Sequence, residues 1–200
     1  MPEAASPTIS PALTLTLTLT KQSIPISIHT ATLADAAQIS SLGATVFTQT
    51  FGYSLPPSDL RSYLTTAYTP LSISADILNP SISTLVARSA HSPSHILGFA
   101  QLNRASREPC IEDAGYPKPV ELQRLYVSTA AHGLGVGRLL VEGIEAIARG
   151  EGYETLWLGV WEENGKAQGF YGRMGLEKCG EHEFIMGTCV QMDWIMKKSL

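Results

Sequence analysis

Hydrophobic and polar positions follow two different periods along this chain. Short runs that alternate with a period of two, or that are continuously apolar, predict strands. Longer runs with apolar positions three and four residues apart predict helices. We predict seven strands, β1 to β7, at residues 24–28, 83–88, 96–102, 120–127, 154–160, 176–184 and 188–197. Helices are predicted at residues 32–47, 56–67, 71–78, 135–149 and 164–174, with a loop at 104–118.

The first 23 residues differ in composition from the rest of the chain. They are rich in Ser, Thr and Pro, and residues 13–20 repeat the pair Leu-Thr. Such a repeat suits a strand, but its register is free to slip. We therefore predict a low-complexity, disordered arm over 1–23 rather than an additional edge strand, and a single domain over 24–200. The arm is a poor signal peptide, because Glu3 precedes the first basic residue, Lys21.

Composition limits the classes of function. Two hundred residues, of which 44% are hydrophobic and 16% charged, suit one domain with a sizeable core. A net charge of −4 without a long basic run argues against nucleic acid as a partner, and no apolar run reaches the length of a membrane span. Cys110, Cys179 and Cys189 form no metal-ligand motif. They predict reduced thiols in a cytoplasmic protein, with a nuclear location and a homodimer left open.

A glycine-rich segment carries the clearest chemical signal. Residues 132–137 read His-Gly-Leu-Gly-Val-Gly, directly after the predicted strand at 120–127 and at the start of the predicted helix at 135–149. Glycines let the backbone approach a ligand closely, and the first amides of a helix attract an anion. A strand, a glycine turn and a helix start together predict a site for a phosphate-bearing ligand.

The spacing of these glycines disfavours two common nucleotide motifs. The dinucleotide fingerprint G-x-G-x-x-G comes early in a βαβ unit, whereas here Gly133, Gly135 and Gly137 are evenly spaced and lie two-thirds along the chain. A P-loop needs Lys and Ser or Thr after its last glycine, and here Arg138 and Leu139 follow. A Rossmann-type oxidoreductase is therefore the weaker interpretation.

A second block follows the predicted strand at 154–160. Residues 164–176 contain Asn164, Ala167, Phe170, Tyr171 and Gly175. Together the two blocks resemble the GNAT superfamily of acetyl-CoA-dependent N-acetyltransferases, whose motifs read R/Q-x-x-G-x-G/A and N-x-x-A-x-x-F-Y-x-x-x-G-F. His132 stands in place of the first Arg or Gln, and Leu176 in place of the last Phe.

The resemblance implies a fold and a cofactor. The fold would be α+β, with a mixed, mostly antiparallel seven-stranded sheet and about four to five flanking helices. The parallel neighbours β4 and β5 would splay apart around acetyl-CoA, the acyl donor, and no metal would be needed. Pantetheine would pair with the β4 backbone, and pyrophosphate would lie on the amides of the glycine turn. The implied cofactor-binding residues are Leu125, Tyr126, Val127, His132, Gly133, Leu134, Gly135, Val136, Gly137, Arg138, Asn164, Ala167 and Tyr171.

Two residues are predicted to be catalytic. Tyr171 is the candidate general acid, because a phenol can donate to the thiolate that leaves from a thioester; the alternative is a buried aromatic pair with Phe170. Glu121 is the candidate base and is expected to share a strand face with Gln123 and Leu125. The alternative for Glu121 is a surface or structural carboxylate, and His182 is a second candidate base.

Acceptor contacts are predicted on two segments. Phe51 and Tyr53 lie in the aromatic stretch after the first helix, where core packing is the alternative for Phe51. His182 lies in the acidic stretch 181–184 on the opposite side. The C-terminal region resembles a bacterial subgroup that includes spermidine-type polyamine acetyltransferases, and nearby acidic residues would suit a cationic acceptor.

The sequence thus predicts acetyl transfer from acetyl-CoA to a primary amine, by direct attack in a ternary complex. The acceptor could be a small molecule or a peptide amine, and the sequence does not choose between them. A non-catalytic acyl-CoA-binding module is the alternative.

Overall fold

A computed structural model describes residues 25–200, so the predicted arm at 1–23 lies outside the described residues. These residues form a seven-stranded mixed sheet in the order β1-β2-β3-β4-β5-β7-β6. The β4–β5 pair is parallel and the other neighbours are antiparallel, as the resemblance implied. The strands are β1 Ile26–Thr30, β2 Ile82–Ser89, β3 Ser92–Asn103, β4 Pro119–Val127, β5 Thr155–Trp161, β6 Glu177–Met186 and β7 Cys189–Ser199.

Six helices accompany the sheet in this part of the chain: α1 Ala36–Phe51, α2 Pro57–Ala67, α3 Pro70–Leu78, α4 Pro109–Asp113, α5 Val136–Gly150 and α6 Gly165–Arg173. The prediction of four to five helices missed α4, which lies inside the expected loop at 104–118. Five residues are too few to show a helical period, so only Pro109 at its first position marked it. The first helix also continues past its predicted end at residue 47.

The helices cover both faces of the sheet. On one face, α5 and α6 pack against the central strands, and Leu140, Ile144, Leu156 and Leu158 form the core there. On the other face, α1, α2 and α3 enclose a second core. The second core includes Ile39, Phe47, Ile73 and Phe99. None of the helices within residues 25–200 is long and apolar enough to cross a membrane.

The centre of the sheet is split between β4 and β5. Their ladder pairs Pro119 with Thr155, Val120 with Leu156 and Glu121 with Trp157, and then stops. Beyond Glu121, β4 continues along β3 alone, while β5 continues along β7. The C-terminal half of β4 therefore has an edge that pairs with no strand among residues 25–200, and a wedge opens between β4 and β5.

Candidate active site

A cavity of about 310 Å³ occupies the wedge. β4 and β5 form its walls, and α1, α6, β6 and β7 close its sides. It brings together predicted residues from segments far apart in sequence: Phe51, Glu121, Leu125, Tyr126, Asn164, Ala167, Tyr171 and His182. Tyr53 is outside this lining and is 75% exposed. Val127 and residues 132–138 continue from the end of β4 without lining the cavity itself.

A β-bulge shapes the wall formed by β4. On β3, Gln101 pairs with Arg124, but the next residue, Leu102, pairs with Leu122, so Gln123 has no partner. This extra residue reverses the alternation of side chains along the rest of the strand. The expectation that Glu121 shares a face with Leu125 was therefore wrong. Leu125 packs with the α5 core on the same face as Leu122.

The glycine turn exposes the first amides of α5. Gly133 and Gly135 have φ angles of +78° and +83°, a region in which a side chain is strained. Gly135 caps the helix, and Leu139 N is the first amide to bond back, to Gly135 O at 3.1 Å. The amides of 135–138 therefore have no acceptor within the helix, and they carry its positive dipole end. This is the geometry of an anion site.

His132 connects this turn to both flanking elements. Its Nε2 lies 3.3 Å from the carbonyl oxygen of Val127, and Lys166 Nζ lies 3.2 Å from its Nδ1. A neutral imidazole with hydrogen on Nε2 donates to the carbonyl and accepts from the ammonium. Lys166, which the sequence analysis did not single out, thus adds a positive charge beside the anion site. Its signal in the sequence was its place in the second block, two residues after Asn164.

Helix α6 presents Asn164, Ala167 and Tyr171 to the cavity. Asn164 caps the helix, since its Oδ1 accepts a hydrogen bond of 3.1 Å from the Ala167 amide. Tyr171 is buried, and its hydroxyl has no hydrogen-bond partner within residues 25–200. Burial, with the nearby Tyr126, raises the pKa of Tyr171 above its ordinary value. Phe170 packs instead beside Gly137, in keeping with a structural role.

Glu121 lies at the point where β4 and β5 part. Its carboxylate accepts a short hydrogen bond from the Ser106 hydroxyl. Burial raises the pKa of Glu121, although the Ser106 hydrogen bond and the charges of His182 and Arg124 act in the opposite direction. The Arg124 guanidinium is itself occupied, because it donates to Asp76 at 2.7 Å and to Gln101 at 2.9 Å.

The opposite wall carries an imidazole between two carboxylates. His182 Nδ1 lies 2.6 Å from Glu108 Oε2, and the Glu108 side chain is only 4% exposed. His182 also faces Asp193 across the β6–β7 ladder. Burial raises the pKa of Asp193 to about 6, against the opposing charge of His182. Sequence reasoning missed both carboxylates in this role. An Asp within an apolar strand and a Glu just before Pro109 were the available signals.

Aromatic rings close the side of the cavity where acceptor contacts were predicted. The rings of Phe51 and Trp161 both line the cavity, with centroids 5.5 Å apart. The Tyr53 ring is tilted against Trp161, with centroids 5.8 Å apart. Phe47 is 2% exposed and stacks on Tyr63 with centroids 4.5 Å apart, so its ring belongs to the core.

Metal ligation finds no support in the part of the chain that the structure describes. Within residues 25–200, no group of three or more His, Cys, Asp or Glu residues is arranged to hold a metal ion. The three cysteines there are unpaired thiols.

Solved structures share this architecture. The PaiA N-acetyltransferase from Thermoplasma acidophilum, in complex with coenzyme A, superposes with a TM-score of 0.70 at 20% identity, covering 88% of this chain and 100% of that one. The ribosomal-protein-alanine N-acetyltransferase from Brucella melitensis gives a TM-score of 0.61 at 20% identity, covering 87% and 99%. At these identities the likeness establishes the fold.

Sequence comparison establishes the family. An uncharacterised N-acetyltransferase of Lactobacillus delbrueckii subsp. lactis is 27% identical over 170 residues, 83% of this chain and 92% of the relative. An uncharacterised N-acetyltransferase of Mycobacterium tuberculosis is 26% identical over 168 residues, covering 84% and 99%. The sequence model of the acetyltransferase (GNAT) family matches residues 52–176, which span the cavity-forming strands β4 and β5, the glycine turn and α6. With fold, wedge and sequence in agreement, the chain belongs to the GNAT family of acetyltransferases.

Proposed function

We propose that the protein transfers an acetyl group from acetyl-CoA to a cationic primary amine, by direct attack in a ternary complex. The observation that carries the proposal is the convergence of three features on one wedge. The first is the edge of β4 that pairs with no strand of residues 25–200. The second is the set of backbone amides at 135–138, which have no acceptor within α5. The third is the Tyr171 hydroxyl. An open strand edge suits the amide groups of a pantetheine chain, and the helix start suits a pyrophosphate.

The residues present fit that donor without rearrangement. When bound, acetyl-CoA would supply an activated acetyl thioester. Leu125, Tyr126 and Val127 would hold its extended arm, and the turn from His132 to Arg138, with Lys166 nearby, would hold its phosphates. Asn164 and Ala167 would line the other side of the arm. A backbone amide of β4 would polarise the thioester carbonyl, and the Tyr171 hydroxyl would donate to the departing sulfur.

Charge on the acceptor side supports a cationic amine. Glu121 and Asp193 line the cavity, and Glu108 lies behind His182. Arg124 lies on the same strand as Glu121, and its positive charge is paired with Asp76. Carboxylates attract an ammonium group and repel a second carboxylate, so amines without a neighbouring acid group are favoured over amino acids. The Phe51 and Trp161 rings offer faces on which an ammonium or its alkyl chain can lie.

Spermidine is our leading acceptor among such amines. It combines several positive charges with flexible apolar spacers, which matches a cavity bounded by carboxylates and aromatic rings. The resemblance of the C-terminal region to spermidine-type enzymes supports the same choice. Glu121 would then bind the ammonium of the acceptor through its outer oxygen, since Ser106 already bonds to its carboxylate.

The test measures thiol release from acetyl-CoA with spermidine, a simple diamine, lysine, glutamate and a peptide amine. Thermal unfolding with and without acetyl-CoA is measured in parallel. We expect a stabilising shift and turnover that is highest with the polyamines and lowest with glutamate. A stabilising shift without transfer to any amine would replace the proposal by the non-catalytic binding module. Turnover that is highest with glutamate would overturn the choice of acceptor class.

A further inference from the structure

Glu108 holds His182 in a defined orientation and tautomer. A carboxylate can only accept, so in the 2.6 Å contact Nδ1 of His182 carries the hydrogen. In the neutral ring, Nε2 then keeps its lone pair. Glu108 is itself fixed, because it caps α4 through a 3.3 Å hydrogen bond from the Cys110 amide and its side chain is almost fully enclosed. A buried acid that fixes the tautomer of an imidazole is an arrangement suited to general-base catalysis.

The free nitrogen faces the acceptor side of the cavity. Nε2 of His182 lies 3.9 Å from the point where a Cβ of Gly159 would stand, and Asp193 Oδ2 lies 3.3 Å from the same point. Gly159 lines the cavity where β5 diverges from β4. Because Gly159 has no side chain, the imidazole and the Asp193 carboxylate have open space in front of them.

Three carboxylates from three different elements face this imidazole. Glu108 approaches from α4, Glu121 from β4 and Asp193 from β7. Arg124 on β4 is the nearby cation, and Asp76 neutralises it. An imidazolium formed at His182 would lie among these carboxylates.

Solvent access distinguishes His182 from Glu121. The His182 side chain is 36% exposed, so a proton taken from the cavity can pass to water after each turnover. Glu121 lies deeper, where Ser106 bonds to its carboxylate. On these grounds we propose that His182 is the general base of the reaction, acting through Nε2, and that Glu108 is its positioning residue. This inference rests on the proposed acetyl transfer.

The acceptor ammonium gives one proton to Nε2 of His182 and becomes a neutral amine. Its nitrogen forms a bond to the acetyl carbon as the carbon–sulfur bond breaks. The Tyr171 hydroxyl gives a proton to the departing sulfur and regains one from the nitrogen, which completes the amide. The imidazolium then releases its proton to water, so one proton leaves for each amide made.

The test compares H182A and E108Q with the wild type, using spermidine or whichever amine of the panel the wild type accepts. We expect kcat to fall by about 10²-fold or more in H182A, with the KM for acetyl-CoA little changed. In E108Q, which removes the charge but keeps an acceptor oxygen, we expect a fall of roughly tenfold or more. Imidazole added to the H182A variant should restore part of kcat, an effect that a purely structural role for His182 would not give.

A matched control is available on the same molecule, since His29 is an exposed histidine on β1. H29Q should leave kcat within about twofold of the wild type. Long-range proton–nitrogen NMR of the imidazoles reports the tautomer directly, and His182 is assigned by the signal that H182A lacks.

The outcomes separate the two proposals. A kcat within about threefold of the wild type in H182A, or a ring protonated on Nε2 alone, overturns the dyad and leaves acetyl transfer in place. If the wild type acetylates no amine, the proposed function fails, and the catalytic role of the dyad fails with it.

Discussion

Replacing Tyr171 by Phe tests the acid side of the proposed reaction with little disturbance of the fold. The Tyr171 hydroxyl has no hydrogen-bond partner within residues 25–200, so its removal breaks no bond there. The ring keeps its packing in the α5–α6 core. We therefore expect the free energy of unfolding to change by less than about 0.5 kcal/mol.

The expected kinetic effect follows from the pKa values of the two groups. A phenol titrates near 10 and a thiol near 8.5, so full proton transfer to the leaving thiolate is uphill by about 2 kcal/mol even before burial. Burial raises the pKa of Tyr171 further, which lowers its driving force as an acid. We therefore expect the Y171F loss in kcat to lie near the lower end of the usual general-acid range, at about 10²-fold.

The assay separates chemistry from binding. Thiol release gives kcat and the KM for acetyl-CoA, and thermal unfolding with acetyl-CoA reports binding. Tyr153 packs on the same core outside the cavity lining, so Y153F serves as the matched control and should keep wild-type kcat. A kcat within about threefold of the wild type in Y171F would refute the role of the hydroxyl, as would a loss confined to KM.

Three further predictions address the donor site, the acceptor side and the N-terminal arm. G135A forces a side chain into φ +83° and should cost about 1–2 kcal/mol of stability and weaken acetyl-CoA binding, measured by thermal unfolding and titration; G150A, at an unstrained helix end, is its control and should bind normally. D193N should raise the melting temperature at pH 7. The folded-state pKa of Asp193 is raised to about 6. The stability that the protonated carboxyl gives is therefore fully present below about pH 4 and is lost as the pH rises through about 6. The melting-temperature gain of D193N should therefore vanish below about pH 4, and a gain independent of pH would contradict the assignment. Deleting residues 1–22 should leave the acetyl-CoA-dependent thermal shift unchanged, since the seven described strands and the residues that line the described cavity all lie within 25–200; a large loss would show that the arm contributes to the fold.

The geometry of the proposed donor half could be predicted because its signals in the sequence are local. The glycine turn lies within six consecutive residues, and backbone conformation at Gly133 and Gly135 follows directly from the absence of a side chain. The approach of Asn164, Ala167 and Tyr171 to one cavity follows from helical spacing alone. Helix α5 begins at Val136, one residue from its predicted start, since a residue in the left-handed region ends the preceding turn.

Which side chains of β4 lie on the same face of the sheet could not be predicted in the same way. The alternation of side chains along β4 changes at Gln123. It changes because Leu102 and Gln101 on the neighbouring strand pair with the residues on either side of Gln123 and not with Gln123 itself. Nothing in residues 120–127 themselves distinguishes a bulged strand from a regular one. A period-2 argument along a strand therefore holds only up to the first bulge, and it failed for Leu125 at this point.

The acceptor half depends on side chains that only the tertiary structure brings together. Glu108 and His182 are 74 residues apart, and each lies in an element with a weak local signal, the five-residue α4 and the sheet-edge strand β6. A nearly inaccessible carboxylate needs a partner, because an unpaired buried charge is costly. His182 is that partner, and the contact also places Nε2 beside Gly159. The fold thus satisfies a buried acid and orients an imidazole with one hydrogen bond, so changing Glu108 should alter the chemistry of His182 from outside the cavity lining.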